Sequence, residues 1–333
     1  MNAIDPNPTG RPLLPEDDLI LPFAVEDLDV RGRVAHMGSV LDAILTQHDY
    51  PEPVSRLLGE AVVLTGLLAT ALKLDGRFIL QMQGDGPVPL VVVDFRSPNG
   101  VRGYARFDAE AVAERAAGRG ADRVVDLVGR GHLALTVDPG ATMRRYQGIV
   151  PLDGGSLEEI AVAYFAQSEQ IPTFIRLAVA ETLERRPGEA PRRRWRGGGI
   201  SVQFLPDRLD RIVRRDLDPG DAPEGAAGGD GAGRPDDDAW VEARARTETV
   251  EDHELIDPGV TPARLLLRLF NQRDVRVFDA IPLEERCHCS REKIHGILAQ
   301  FGETERTGMV EDGEIVVTCE FCNRTYRFSP DDV

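Results

Sequence analysis

The sequence predicts an α+β fold, and three observations carry that expectation. Strand-like and helix-like segments are grouped without the regular βαβ alternation of a doubly wound sheet. One long apolar segment has helical spacing yet is greasy on nearly every side, as expected of a helix buried all round. All four cysteines fall within the last 47 of 333 residues, in two close pairs that suit a small appended module. The expected parts are a disordered leader over 1–17, a mixed-strand core domain with packed helices over 18–206, a linker region over 207–280 and a small cysteine module over 281–333.

In the core, the buried helix is expected over Val54–Leu72, with Leu57, Ala61, Leu64 and Leu68 at spacings of four and three. The period then changes. Leu80, Gln81, Met82 and Gln83 alternate as a half-buried strand, "GDGP" makes a turn, and Val88–Phe95 reads as a second, more buried strand. "GDGP" lacks the Lys and Ser/Thr of a nucleotide-binding loop. Further strands are expected at Val101–Phe107, His132–Val137, Thr142–Pro151, Thr173–Thr182 and Gly199–Leu205. A capping box, Ser156 with Glu159, opens a helix through Gln167. "PRRRWRGG", Pro191–Gly198, reads as a solvated turn before a strand, because acidic and basic clusters are interleaved around it.

Composition changes next. Asp218–Asp238 holds six glycines and seven acids against one arginine, the makeup of a flexible, self-repelling segment. A helical stretch then runs from Asp238 to Ile256, and Thr261 with Pro262 announces a short helix. That helix carries Leu265, Leu266, Leu267, Leu269 and Phe270 within six positions. Such a surface either packs on the core or is covered in one state and exposed in another. In the last module, Ser290 caps a helix through Gln300, and "MVEDGEIVVT" forms a hairpin turning at Asp312-Gly313.

Charge and hydropathy bound the partners. The 39 basic and 56 acidic residues leave a net charge of −17, which repels phosphate backbones and argues against nucleic acid. No secretory pattern opens the chain, and the longest apolar run, Ala61–Leu72, is shorter than the ~20 residues of a membrane span. A cytoplasmic protein without a membrane partner is expected. No Ser/His/Asp arrangement or metal-water site points to an enzyme.

Cys287 and Cys289 form a C-x-C pair and Cys319 and Cys322 a C-x-x-C pair, with 29 residues between them. Four thiolates satisfy tetrahedral zinc with no position open for substrate, which makes the site structural. At roughly 50 residues the module is near the size at which a core alone is marginal. His288, between two of the ligands, is expected to point outward. A thioredoxin-like dithiol would need its C-x-x-C at a helix start, whereas Asn323–Phe328 does not read as helix. Because each pair is local, disulfides Cys287–Cys289 and Cys319–Cys322 could form without holding the module's halves together. Cys289 directly precedes a helix, whose positive end favours its thiolate.

The C-x-C…C-x-x-C pattern, with "LQMQGDGP", "RGYARF", "YFAQSEQIPT", "GGISVQFLP" and "LLLRLFNQRDVRVF" in order, resembles the heat-shock protein 33 family of bacterial chaperones. The resemblance implies an ATP-independent holdase with a metastable linker, here about Trp240–Phe278. It implies that Cys287, Cys289, Cys319 and Cys322 bind zinc when reduced and pair as two disulfides when oxidised. It also implies a homodimer on oxidation and unfolding proteins as clients, met by linker surface that includes Leu265, Leu266, Leu267, Leu269 and Phe270. Relative to the family pattern, the leader and the 218–238 segment read as additions. Reading the C-x-x-C as a dithiol oxidoreductase, or the module as a dock for a folded partner, stands as the alternative.

Overall fold

A computed structural model describes residues 17–72, 75–118, 123–140, 145–153, 155–184, 190–205 and 237–333. The expected leader and the Gly/Asp-rich segment lie almost wholly outside the described residues. Strands β1 (Leu19–Val25) and β2 (Val30–Met37) pair antiparallel and lead into helices α1 (Ser39–Thr46) and α2 (Glu52–Ala69). A meander of β3 (Arg77–Gly84), β4 (Leu90–Arg96) and β5 (Gly100–Arg106) follows. Helices α3 (Ala109–Ala117) and α4 (Val124–Val128), then β6 (Gly131–Asp138), β7 (Tyr146–Pro151) and α5 (Leu157–Tyr164), lead to the long hairpin of β8 (Thr173–Glu184) and β9 (Arg192–Phe204).

Among the described residues the first sheet runs β10-β1-β2-β9-β8, with β11 also on β1, and the second runs β12-β5-β4-β3-β6-β7. Helix α2 lies between them and contacts both. Fourteen of its 18 residues are buried, and only Glu52 and Arg56, paired one turn apart in its first half, are exposed. Close approach to the first sheet depends on Gly59 and Gly66: a Cβ there would stand 2.7 Å from Val179 Cγ1 and 2.8 Å from Met37 Cε, inside contact distance. The helix is the centre of the main hydrophobic core, where it meets Leu80, Val91, Val93 and Val101 of the second sheet.

Past the undescribed stretch come α6 (Asp238–Glu248), α7 (Asp252–Ile256) and α8 (Pro262–Leu269), then β10 (Val275–Val277), β11 (Ile281–Pro282) and β12 (Glu284–Glu285). The helical stretch expected from Asp238 to Ile256 is thus two helices, because Glu251 and Glu254 form a new capping box that starts the second. The three helices cover the outer face of the first sheet. Trp240, Leu255, Leu265, Leu266, Leu269 and Phe270 pack there on Phe23, Val34, Ile200 and Val202 in a second core.

The chain next acts as a strap across the mouth of the sandwich. β10 and β11 add to β1 of the first sheet, and β12 pairs parallel with β5 of the second. Leu283, between them, is buried in the main core. The last residues form α9 (Arg291–Leu298), α10 (Glu303–Thr307) and a three-stranded sheet of β13 (Val310–Glu311), β14 (Glu314–Thr318) and β15 (Thr325–Phe328). The expected turn at Asp312-Gly313 is present, both residues having positive φ. This unit buries its own small cluster of Ile294, Leu298, Ile315 and Phe328.

One expectation is corrected. Arg192–Gly198 is not a solvated turn but the first half of β9, paired residue for residue with Ala178–Glu184. The reason is charge matching: across the hairpin Arg193 meets Glu181 at 2.9 Å and Arg194 meets Glu184 at 2.9 Å, while Arg196 meets Asp17, just before β1, at 2.8 Å. Arginines that look solvated in one dimension find their acidic partners in three, two of them across the strand pair. The segment "YFAQSEQIPT" also gains a shape. After α5 the chain makes one π turn, Phe165–Glu169, with Tyr164 donating to Glu169 Oε1 at 3.1 Å and its ring seated over Gly148.

Candidate metal centre

Two short structures present the four sulfurs. Cys287 and Cys289 lie on the extended segment between β12 and α9, where Ser290 caps the helix by accepting from the Lys293 N–H at 3.2 Å. Cys319 and Cys322 bracket the turn between β14 and β15. The Cys319 N–H donates to the Arg324 carbonyl at 3.0 Å, and the Asn323 N–H donates to the Cys319 carbonyl at 2.8 Å. Asn323 takes the left-handed φ of 53° that closes this knuckle, a conformation asparagine tolerates better than most residues. Asn323–Phe328 is turn and strand, so the C-x-x-C does not start a helix.

The four Sγ atoms all lie within 4.8 Å of one another, and they form the one such group of metal-donor side chains among the described residues. Sulfur–sulfur distances are 3.4 Å for Cys287–Cys289, 3.7 Å for Cys287–Cys319 and 3.4 Å for Cys289–Cys322. A tetrahedron with Zn–S bonds of about 2.3 Å has edges of about 3.8 Å, so the donor set fits a zinc ion. His288 is not in the group. Its carbonyl accepts from Lys293 Nζ at 2.8 Å, and burial together with the Arg102 charge lowers its imidazole pKa. His295, on α9, faces Asp332 and the Phe328 ring.

Electrostatics differ from thiol to thiol. Burial opposes ionisation of Cys289, but hydrogen bonds from the Tyr326 hydroxyl at 3.3 Å and from neighbouring sulfurs outweigh it and bring its pKa down to about 7. Burial pushes Cys287 and Cys322 upward. Tyr326 was not singled out by sequence reasoning, which looked to the helix end for this effect.

The larger omission is where the centre docks. Its knuckle sits on the outer face of the second sheet, on β5. Phe321 is sandwiched between the Arg102 guanidinium, 3.9 Å from its ring centre, and the Tyr104 ring, 4.7 Å away and edge-on. Glu320 accepts from Arg106 Nε at 2.9 Å and Nη2 at 2.5 Å, and the Phe321 carbonyl lies 3.4 Å from His48 Nε2. Arg102 Nη1 is also 3.7 Å from Cys287 Sγ. Beneath it, buried Asp94 holds Arg102 through Nε and Nη2 and Arg77 through a second pair of bonds. A signal existed in "RGYARF": Arg102, Tyr104 and Arg106 share one face of a strand whose other face carries Gly103 and Ala105 against α2.

Of the residues expected to meet clients, Leu265, Leu266, Leu269 and Phe270 are buried against the first sheet, whereas Leu267 is 67% exposed on the other side of α8. The cysteines and these leucines therefore lie on opposite sides of the sandwich, connected through the strap of β10 to β12.

Comparison with known proteins fits this architecture. A family model described as Hsp33 protein matches residues 18–329. The 33 kDa chaperonin of Caulobacter vibrioides is 43% identical over 315 residues, covering 94% of this chain and 95% of that one. The 33 kDa chaperonin of Azotobacter vinelandii is 37% identical over 314 residues, covering 93% and 91%. Among solved structures, the crystal structure of the 33 kDa chaperonin (heat shock protein 33 homolog) from Thermotoga maritima superposes with a TM-score of 0.71 at 22% identity, covering 95% of this chain and 96% of that one, a likeness of fold. A two-sheet α+β core with an appended four-cysteine unit, matched by chaperonins over more than nine-tenths of the chain, defines the class as a molecular chaperone. The chain belongs to the Hsp33 family.

Proposed function

We propose that this chaperone is a redox-gated holdase, inactive while its four cysteines hold zinc and active once they are oxidised. The observation that carries the reading is the convergence of the four thiols at one point fed by two separate chain segments. Zinc bound there supplies charge neutralisation of the thiolates and a covalent bridge between the segments. Such sites contribute of the order of 10–16 kcal/mol to folding, which a small cluster of four buried apolar side chains does not replace.

Oxidation acts on the cysteines pairwise. A thiolate attacks peroxide and becomes a sulfenic acid with loss of water or hydroxide, and its partner thiol then displaces a second water to form the disulfide. Each disulfide thus consumes two thiols and one peroxide and yields two waters. With Cys287 bonded to Cys289 and Cys319 to Cys322, the two segments no longer share a centre and the module loses its fold. The strap then loses its anchor, and the helices on the first sheet, with Leu265, Leu266, Leu269 and Phe270, become free to expose apolar surface to unfolding clients. Leu267, already exposed, extends that surface. A homodimer of oxidised chains and a cytoplasmic site of action complete the reading. No helix among the described residues is long and apolar enough to cross a membrane, in keeping with that site.

The test couples three readouts on one sample. Peroxide treatment of zinc-loaded protein is expected to release about one zinc per chain with loss of about four titratable thiols, and to turn on suppression of aggregation of a heat-unfolded client without nucleotide. Zinc retention, or equal protection before and after oxidation, refutes the gate.

A further inference from the structure

The knuckle does more than hold two sulfurs: its two inner residues, Glu320 and Phe321, fill a formed site on the core. Each part of that dipeptide has its own receptor. The carboxylate is received by the Arg106 fork, the ring lies between the Arg102 guanidinium and Tyr104, and the Phe321 carbonyl lies near His48. An aromatic ring stacked on a guanidinium and edge-on to a second ring is a specific arrangement, because the ring's negative face meets the cation and its partner's positive edge.

The receptor is ordered by the core and not by its occupant. Asp94, 3% exposed, fixes Arg102 through two nitrogens, so the guanidinium plane stays in place when Phe321 leaves. His48 lies against Tyr50, 4.9 Å between ring centres, and Tyr50 accepts a bond from the Ala105 N–H at 3.1 Å. Tyr104 and Arg106 stand on β5, a strand paired along its whole length with β4. On this face Arg77, Arg96, Arg102 and Arg106 outnumber Asp94 and Asp138, a local surplus of positive charge in a chain whose net charge is −17. A preformed, cationic, aromatic-lined surface covered by an acidic residue followed by an aromatic one is a peptide-binding site with its ligand supplied in cis.

We infer that this surface of β5 is a second client site, which recognises an acidic–aromatic dipeptide in an unfolded chain and is blocked by Glu320-Phe321 while the cysteine centre is intact. The inference rests on the redox reading for its trigger, since oxidation is what removes the knuckle. It adds a polar, sequence-selective contact to the apolar one offered by the linker helices. The two sites lie on opposite faces of the sandwich, so one extended client segment can engage the acidic–aromatic site while another covers the linker surface.

The probe is a fluorescein-labelled nonapeptide copying residues 317–325, with serine at both cysteine positions, titrated against full-length protein by fluorescence anisotropy. Reduced zinc-loaded wild-type protein is expected to bind it at least about tenfold more weakly than the reduced double variant Glu320→Ala, Phe321→Ala, whose site is vacant. That comparison requires no oxidation, so it fails or succeeds independently of the gate. Oxidised wild-type protein is expected to bind as the vacant variant does. In the vacant background, Arg106→Glu should weaken the peptide about tenfold and restore binding of a peptide with lysine in place of the glutamate. Arg106 is exposed, so this exchange leaves the fold intact, which circular dichroism verifies. Equal binding by the reduced wild-type and vacant proteins, or indifference to the charge exchange, overturns the proposal. So does an oxidised dimer that excludes the peptide and is dissolved by Arg106→Glu, which would assign the surface to a second copy of the chain.

Discussion

Two carboxylates in this core, one buried and one half-buried, meet opposite fates. Burial would raise the pKa of Asp94, but hydrogen bonds and charge from Arg77 and Arg102 overcome it and hold the group below the ordinary carboxylate range. Glu60 on α2 has no such fork. It lines a cavity of about 190 Å³ with Glu158, Asp252, Arg56, Arg123 and Arg176, and burial, then repulsion from Glu158, push its pKa up to about 7 against a partial correction from Arg56. A carboxyl with a raised folded-state pKa binds its proton more tightly in the folded chain. The folded state is therefore favoured most below the ordinary value near 4.5 and loses stability as pH rises from there to about 7. Glu60→Gln is expected to stabilise the protein by up to about 3 kcal/mol at pH 8 and by close to nothing at pH 4.5. Urea denaturation at the two pH values reads this directly, and an equal gain at both would show that packing and not ionisation is responsible.

At the scale of elements, α8 illustrates how one greasy helix divides its labour. Leu265, Leu266, Leu269 and Phe270 are all at most 3% exposed, and the Phe270 ring lies 6.0 Å from that of Phe23 on β1, while Leu267 projects to solvent. Phe270→Ala should cost about 3–5 kcal/mol, the usual range for deleting a buried aromatic, whereas Leu267→Ala should fall within about 0.5 kcal/mol of neutral. Chemical denaturation checks both. Dye binding by the reduced protein should rise for Phe270→Ala alone, since only that change loosens the cover of the first sheet. The apolar content of this helix was legible in the sequence, but its partner was not. Phe23, Val34 and Ile200 come from three strands spread over nearly two hundred residues, and no local period records which face of which sheet they share. The arginines of β9 were misjudged for the same reason: their matching acids are Glu181 and Glu184 on the facing strand and Asp17 before β1, pairings that no local period records. Capping signals fared better, because Ser156 with Glu159, Thr261, and Ser290 act within three residues of themselves.

Across the whole molecule, the strap connects the cysteine unit to helices α6 to α8, and the proposed gate works through that connection. β11 and β12 tie residues 281–285 into both core sheets, while the unit beyond Arg286 has a core of four buried side chains, the docking of Glu320 and Phe321 on β5, and the proposed metal. Removing the metal from reduced protein with a chelator is expected to abolish hydrogen-exchange protection over α9 and β13 to β15 while β3 to β6 keep theirs. The amides of β12 and β10 should lose protection next, ahead of any core strand. Uniform loss across both sheets would instead mean that the centre stabilises the core as a whole.

The sequence by itself determined what is local. It set the helix and strand periods, the caps and the two thiol pairs whose spacing selects a four-sulfur centre. Those features depend on contacts between residues a few positions apart, so composition and spacing carry them in full. The tertiary structure alone decided that Glu320-Phe321 docks on Arg102, Tyr104 and Arg106 about two hundred residues upstream. It also decided that the apolar face of α8 closes on the first sheet while the cysteines settle on the far face of the second. Burial rewards any complementary pair of surfaces, and which pair forms is settled only when the strands are in register and the strap has joined both sheets.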